Sequence, residues 1–121
     1  IFYNMELKRV VVTGLGALTP VGNNVAETWD NLVKGVSGAG PITHFDASKF
    51  KTHFACEVKN FNGTDYIDRK ELRKMDLYTQ YAIAAAKEAV EDSGMDLEKE
   101  DLNRIGVIYG VDLSGIHKIK E

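Results

Sequence analysis

The sequence predicts an α/β fold in which helices cover a parallel sheet. Two short apolar runs rich in β-branched residues, RVVVT at 9–13 and RIGVIYG at 104–110, are typical of strands buried on both faces of such a sheet. Between them, apolar residues recur at helical spacing in two segments, which predicts two helices. With a short strand between those helices, the order is β-α-β-α-β, and we expect an α/β sandwich.

The first helix is predicted to begin after Asn24. Asparagine is a favourable N-cap residue, and Glu27 three positions later completes an approximate capping box. Gly35 is suited to end the helix, because glycine adopts the left-handed conformation at little cost. The apolar stripe of this helix is formed by Val25, Trp29, Leu32, Val33 and Val36.

The middle of the chain is predicted to be irregular. Residues 35–50 are rich in glycine and predict a long loop. FACEV at 54–58 predicts a short strand, and NFNGTDY at 60–66 predicts a second loop. DRKELRK at 68–74 predicts one or two helical turns.

The second long helix is predicted from Asp76, as its cap, to about Ser93, with Gly94 as its stop. Its centre, YAIAAA at 81–86, is apolar on every face. Such a helix is expected to be buried, and its alanines allow a neighbouring segment to approach closely.

Composition narrows the function classes. The 121 residues fit one domain, and a net charge of -3 gives no general reason to expect nucleic acid or an anionic membrane as a partner. The single cysteine, Cys56, excludes an internal disulfide and favours a reducing compartment, so we expect a cytoplasmic protein. The spacing of His44 and His53 does not suggest a metal site.

The turn after the first predicted strand begins like a nucleotide-binding loop. Gly14 and Gly16 fit the fingerprint G-x-G-x-x-G, but its third position is Thr19, followed by Pro20. The acidic residue expected at the end of the next strand is also missing. We therefore favour a structural turn whose glycines let two backbones pass closely, and nucleotide binding stays as an alternative.

The stretch RVVVTGLGALTPVGNN at 9–24 resembles the amino-terminal signature of β-ketoacyl-acyl-carrier-protein synthases, the condensing enzymes of fatty-acid synthesis. The similarity continues through TWDNLVKGVSG, FACEVKNFN, YIDRKELRKMDLYTQYAIAAAKEAVEDSG and RIGVIYG, in the order of that family. It is strongest to the elongating type II enzymes of bacteria. The resemblance implies a thiolase-like fold, of which this chain would be part of the first half of a five-layer αβαβα sandwich in a homodimeric enzyme.

The resemblance also implies a chemistry. Such enzymes hold an acyl group on a cysteine, decarboxylate malonyl-carrier protein and join the two in a Claisen condensation. The cysteine, two histidines and a lysine that do this lie downstream of the matched stretch, so no catalytic residue is expected in this chain and no cofactor is implied. Cys56 does not fall on the cysteine motif of the family, and we expect it to be buried as a small hydrophobe.

A basic cluster lies inside the matched stretch. Arg69, Lys70, Arg73 and Lys74 share one face of the predicted helical turn. On charge pattern alone, this cluster is a solvated face paired with its acidic neighbours. In the family this segment docks the acidic acyl carrier protein, and the resemblance places Lys70, Arg73 and Lys74 on the contact positions. Aromatic residues do not interleave with the basic ones, which disfavours nucleic acid as the partner.

The resemblance divides the chain into three parts. Residues 1–4 are expected to lie upstream of a natural start at Met5, residues 5–110 match the amino-terminal part of a synthase domain, and residues 111–121 form a divergent tail, as a truncated gene, a frameshift or a fragment would give. We expect a chain that is inactive alone, and whose two apolar strands favour self-association. The alternatives are a non-catalytic module that binds carrier protein and a nucleotide-binding α/β domain.

Overall fold

A computed structural model describes residues 8–111 of the chain. The two assignments at the chain ends, upstream residues at 1–4 and a divergent tail at 111–121, therefore lie outside the described residues, apart from residue 111. The helices are α1 (Val25–Val33), α2 (Arg69–Leu72) and α3 (Leu77–Asp92), with 3-10 turns at Gly63–Asp65 and Leu102–Arg104. The strands are β1 (Gly40–Pro41) and β2 (Phe54–Ala55).

Helix α1 begins and ends where the sequence predicts. The side chain of Asn24 accepts a hydrogen bond of 2.7 Å from the Glu27 amide. The Glu27 carboxylate accepts in return from Asn23 at 2.8 Å, so the capping box closes one residue earlier than expected. Gly35 follows the helix with φ +68° and ends it.

Helix α3 also has its predicted length, and Gly94 follows it with φ +65°. Asp76 is the N-cap residue, although its side chain makes no capping hydrogen bond. The prediction that the helix is buried on every face is wrong for this chain, because Ala84 is its only residue that is buried within 8–111. Described segments pack against only part of its circumference, and Ile83 and Ala86 line open apolar grooves.

The two long parallel strands predicted at 9–13 and 104–110 are not formed. Both segments lack regular strand structure, and Val12 and Ile108 are 79% and 98% exposed. A strand is held by hydrogen bonds to a neighbouring strand, and no segment within residues 8–111 pairs with either of them. The apolar composition is therefore correct for a buried strand, but the neighbours that would bury it are not among the described residues.

The sheet that the structure describes is small and antiparallel. Gly40 pairs with Ala55 and Pro41 with Phe54. The strand predicted at 54–58 is thus confirmed at its first two residues, whereas its partner β1 lies in the segment predicted to be a loop.

Helix α3 is the element on which the described segments pack. The ring of Phe61 meets Tyr81 of α3 edge-on, with ring centres 4.9 Å apart, and stacks on Tyr66 at 5.8 Å. Burial raises the pKa of the Tyr81 hydroxyl. On another flank of the helix, the glycine turn lies directly against the α3 backbone.

Candidate functional site

The glycine turn at 14–17 is in close contact with α3. A Cβ built on Gly16 would lie 1.9 Å from the carbonyl oxygen of Ala85, and one built on Gly14 would lie 2.2 Å from that of Ala89. Neither distance is possible for a real side chain. This geometry supports the structural interpretation of the turn, in which the glycines let two backbones pass closely.

The amides of this turn are bonded to carboxylates of α3. Leu15 donates to Asp92 Oδ2 at 2.8 Å, and Ala17 donates to Glu88 Oε2 at 2.9 Å. In a nucleotide-binding loop, such amides would face a phosphate. Here these amides already donate to two carboxylates, which occupy the position that a phosphate would take. The geometry therefore disfavours the nucleotide-binding alternative.

The predicted basic cluster lies on and just after α2. The Asp68 carboxylate caps this helix by accepting from the Lys70 amide at 2.8 Å. Leu72 is half-buried and its side chain lies against Gly63 of the 3-10 turn, which also contacts α3. Gln80 of α3 reaches back to the Met75 carbonyl oxygen at 3.4 Å. The apolar side of the short helix is thus anchored, and its basic residues are exposed to solvent.

The three residues predicted to contact a carrier protein are all exposed. Lys74 pairs with Glu71 at 2.8 Å, and the Lys74 side chain is 70% exposed. Lys70 and Arg73 form no ion pair with another residue in the described range. The expected pairing of this face with its acidic neighbours is therefore seen within the described range for Lys74, whereas Lys70 and Arg73 are exposed without an ion pair there.

Cys56 is exposed, which corrects the expectation that it is buried. It directly follows β2, whose two-residue pairing with β1 leaves the next side chain uncovered. Its neighbour Glu57 accepts hydrogen bonds from the Thr43 hydroxyl at 2.6 Å and from the Thr43 amide, and these bonds lower the pKa of the Glu57 carboxyl. His44 Nε2 lies 4.0 Å from the same carboxylate.

The part of the chain that the structure describes contains neither a candidate metal site nor a candidate membrane-spanning helix. Residues 8–111 contain no group of three or more metal-ligating side chains. None of their helices combines the length and the apolarity that crossing a bilayer requires.

Glu88 and Asp92 were not predicted as important positions. They lie four residues apart on α3, on the side of the helix that meets the glycine turn. Their spacing places both carboxylates on one face of the helix, but the sequence does not indicate which segment that face contacts.

Comparison with known families supplies the identity. The model of the family "Beta-ketoacyl synthase, N-terminal domain" matches residues 7–120. The chain belongs to the β-ketoacyl synthase family. The match includes most of segment 111–121, whose assignment as a divergent tail stays a prediction.

Relatives of this β-ketoacyl synthase chain carry a consistent name. This chain is 51% identical over 109 residues to 3-oxoacyl-[acyl-carrier-protein] synthase 2 of Staphylococcus aureus (strain COL). The aligned stretch covers 90% of this chain and 26% of the relative. The chain is 47% identical over 116 residues to the protein of the same name from Vibrio harveyi, covering 96% of this chain and 28% of the relative. The chain thus spans about a quarter of the length of these relatives.

Solved structures similar to this β-ketoacyl synthase chain are ketosynthases. The ishigamide ketosynthase/chain length factor matches 73% of the chain with a TM-score of 0.67 and 41% identity, and the chain covers 22% of it. A type II PKS acyl-carrier protein in complex with its ketosynthase bound to the hexaketide matches 81% of the chain with a TM-score of 0.63 and 31% identity, and the chain covers 24% of that structure. These likenesses are consistent with the predicted thiolase-like fold for the described segment.

Proposed function

We propose that the chain is the amino-terminal part of a β-ketoacyl-acyl-carrier-protein synthase that elongates fatty acids. The enzyme would condense malonyl-carrier protein with a cysteine-bound acyl group, with loss of carbon dioxide. The observation that carries this proposal is the family match over residues 7–120, together with relatives that are 51% and 47% identical to the chain over 109 and 116 residues.

This chain is proposed to have no condensing activity alone. The reaction needs a cysteine thiolate activated by its surroundings and polar groups that stabilise the developing oxyanion. Cys56 is exposed beside a two-stranded sheet, and the charged residue next to it in sequence is the acidic Glu57, not a base that could activate it. We therefore assign the nucleophile, the two histidines and the lysine to the part of the family sequence that lies downstream of this stretch.

We propose that Lys70, Arg73 and Lys74 form a docking surface for acyl carrier protein. All three are exposed on or just after a helix whose other side is anchored, and two of them form no ion pair in the described range. Attraction between this surface and an acidic carrier protein would speed their encounter, and it would weaken as salt screens the charges. The similar complex of a ketosynthase with its acyl-carrier protein supports such a partner for a member of this family.

The docking surface is tested by titrating the chain with acyl carrier protein at low and at high salt. We expect the double variant Lys70→Glu/Arg73→Glu to weaken binding at least about tenfold, because each attractive charge becomes repulsive. Lys51→Glu is the matched control, since Lys51 is an exposed lysine outside this surface. Equal binding by the double variant and the control would refute the assignment of the surface and leave the family assignment intact.

A non-catalytic module that binds carrier protein is the second candidate, favoured by the same exposed basic residues. A condensation assay on a longer polypeptide that contains this segment distinguishes the synthase from the binding module, because a module would add no activity.

For the intact enzyme we further propose a homodimer with the five-layer αβαβα sandwich, acting in the cytoplasm. No cofactor is needed for the proposed chemistry.

A further inference from the structure

Two carboxylates of α3 accept hydrogen bonds from backbone amides in two separate segments of the chain. Glu88 accepts from the Ala17 amide through Oε2 at 2.9 Å and from the Val25 amide through Oε1 at 2.8 Å. Asp92, one helical turn later, accepts from the Leu15 amide at 2.8 Å. We propose that Glu88 and Asp92 form a carboxylate clasp that docks the glycine turn and the first residue of α1 onto α3.

The clasp acts where the turn and the helix meet through their backbones. Gly14 and Gly16 present no side chains, and their backbone lies directly on the backbone of Ala85 and Ala89. Hydrogen bonds from amides to an ionised carboxylate are about twice as strong as those between neutral groups. They are also directional, so they fix the height of the turn along the helix, which contact between bare backbones would not.

Glu88 is the central member of the clasp. Its two oxygens hold two amides that are eight residues apart in sequence, one in the turn and one at the start of α1. The Val25 amide is one of those that the first turn of a helix leaves without an intrahelical partner. A single side chain therefore sets the path of the turn and the point from which α1 departs, and its charge closes the turn to phosphate-bearing ligands.

Replacing Glu88 by alanine tests the clasp by thermal unfolding. Alanine has the highest helix propensity, so any loss of stability reports the lost hydrogen bonds rather than a weaker α3. We expect Glu88→Ala to lower Tm by roughly 10 °C, given two charge-assisted bonds in a domain of this size. The matched control is Glu91→Ala on the same helix, an exposed position at which we expect a change of about 1 °C or less.

Added formate or acetate distinguishes the clasp from a general effect of the substitution. Either anion can enter the space left by the side chain and accept from the Ala17 and Val25 amides. We expect it to raise Tm of Glu88→Ala more than that of the wild type or of Glu91→Ala. Equal Tm values for the two variants, or a gain from formate no larger than in the wild type, would overturn the proposal.

Amide exchange in the unaltered chain keeps the proposal testable if Glu88→Ala does not fold. We expect the Ala17 and Val25 amides to exchange at least about a hundredfold more slowly than the amide of Val107, which lies in an exposed segment without regular structure. Exchange of Ala17 and Val25 as fast as that of Val107 would overturn the clasp.

Discussion

Replacing Gly16 by alanine should destabilise the chain, because α3 occupies the space that the new methyl group needs. The methyl carbon would lie 1.9 Å from the Ala85 carbonyl oxygen and 2.8 Å from the Ala89 nitrogen. Relieving the first contact to 3.0 Å, the shortest distance that real Cβ atoms show, requires the turn and the helix to separate by about 1.1 Å. Both contacts are with backbone, so no side chain can rotate away.

Separating the turn from the helix also breaks a hydrogen bond, which adds to the loss of folding free energy. The Ala17 amide and Glu88 are 2.9 Å apart, and a shift of about 1.1 Å moves them to about 4.0 Å, beyond hydrogen-bond range. Overpacking costs about 1–3 kcal/mol, and loss of a hydrogen bond to a charged group costs about 1.5–3 kcal/mol. Because the two effects share one displacement, we expect a total of about 2–4 kcal/mol.

Thermal unfolding followed by circular dichroism measures this effect. For a domain of this size each kcal/mol lowers Tm by roughly 4–8 °C, so Gly16→Ala should lower it by roughly 10 °C or more. Gly106→Ala is the matched control, because nothing lies within 4 Å of its Cβ position and its φ is outside the left-handed range. A Gly16→Ala variant as stable as Gly106→Ala would refute the close packing of the turn on α3.

Three further predictions concern association, pH and ligands. The chain should self-associate with increasing concentration in sedimentation velocity, and Ile108→Ser should reduce this, because Ile108 is 98% exposed; a monomer at every concentration would contradict the prediction. Hydrogen bonds from Thr43 lower the pKa of Glu57 below its ordinary value of 4.5, so the stability they contribute is present above that pH and is lost as pH falls through the lowered value. On acidification below about pH 4.5, the Tm of the wild type should therefore fall by more than that of Glu57→Gln. Equal falls in Tm would show that the hydrogen bonds from Thr43 to Glu57 do not contribute to stability. NAD should leave Tm unchanged, since a ligand that binds the native state must raise it, and a clear rise would revive the nucleotide-binding alternative.

Local signals in the sequence predicted the helices well. Asn24, Gly35 and Gly94 mark helix ends through backbone geometry that depends only on neighbouring residues, and the structure has those ends. The basic residues on α2 were likewise predictable, because their spacing and exposure depend on one short helix. Capping and helical periodicity are local, and no distant partner is needed to satisfy them.

The strands could not be predicted by the same means. The run RVVVT at 9–13 has the composition of a buried strand, but composition does not state whether a partner strand lies beside it. β1 was missed for the opposite reason, since Gly40 and Pro41 have weak strand propensity and pair only because Phe54 and Ala55 lie alongside. The contact of Glu88 with Ala17 joins residues 71 positions apart, and no local pattern specifies it.

The placement of this chain within a condensing enzyme is tested most directly by the DNA that encodes it. Sequencing beyond the codon for Gly110 and translating all three frames would reveal the residues encoded downstream of the matched stretch. We predict that one frame continues with a glycine-rich loop and then supplies a cysteine, two histidines and a lysine in the order of condensing enzymes. If no frame supplies them, the chain is not part of a catalytic synthase, and binding of carrier protein through Lys70, Arg73 and Lys74 becomes the function to test.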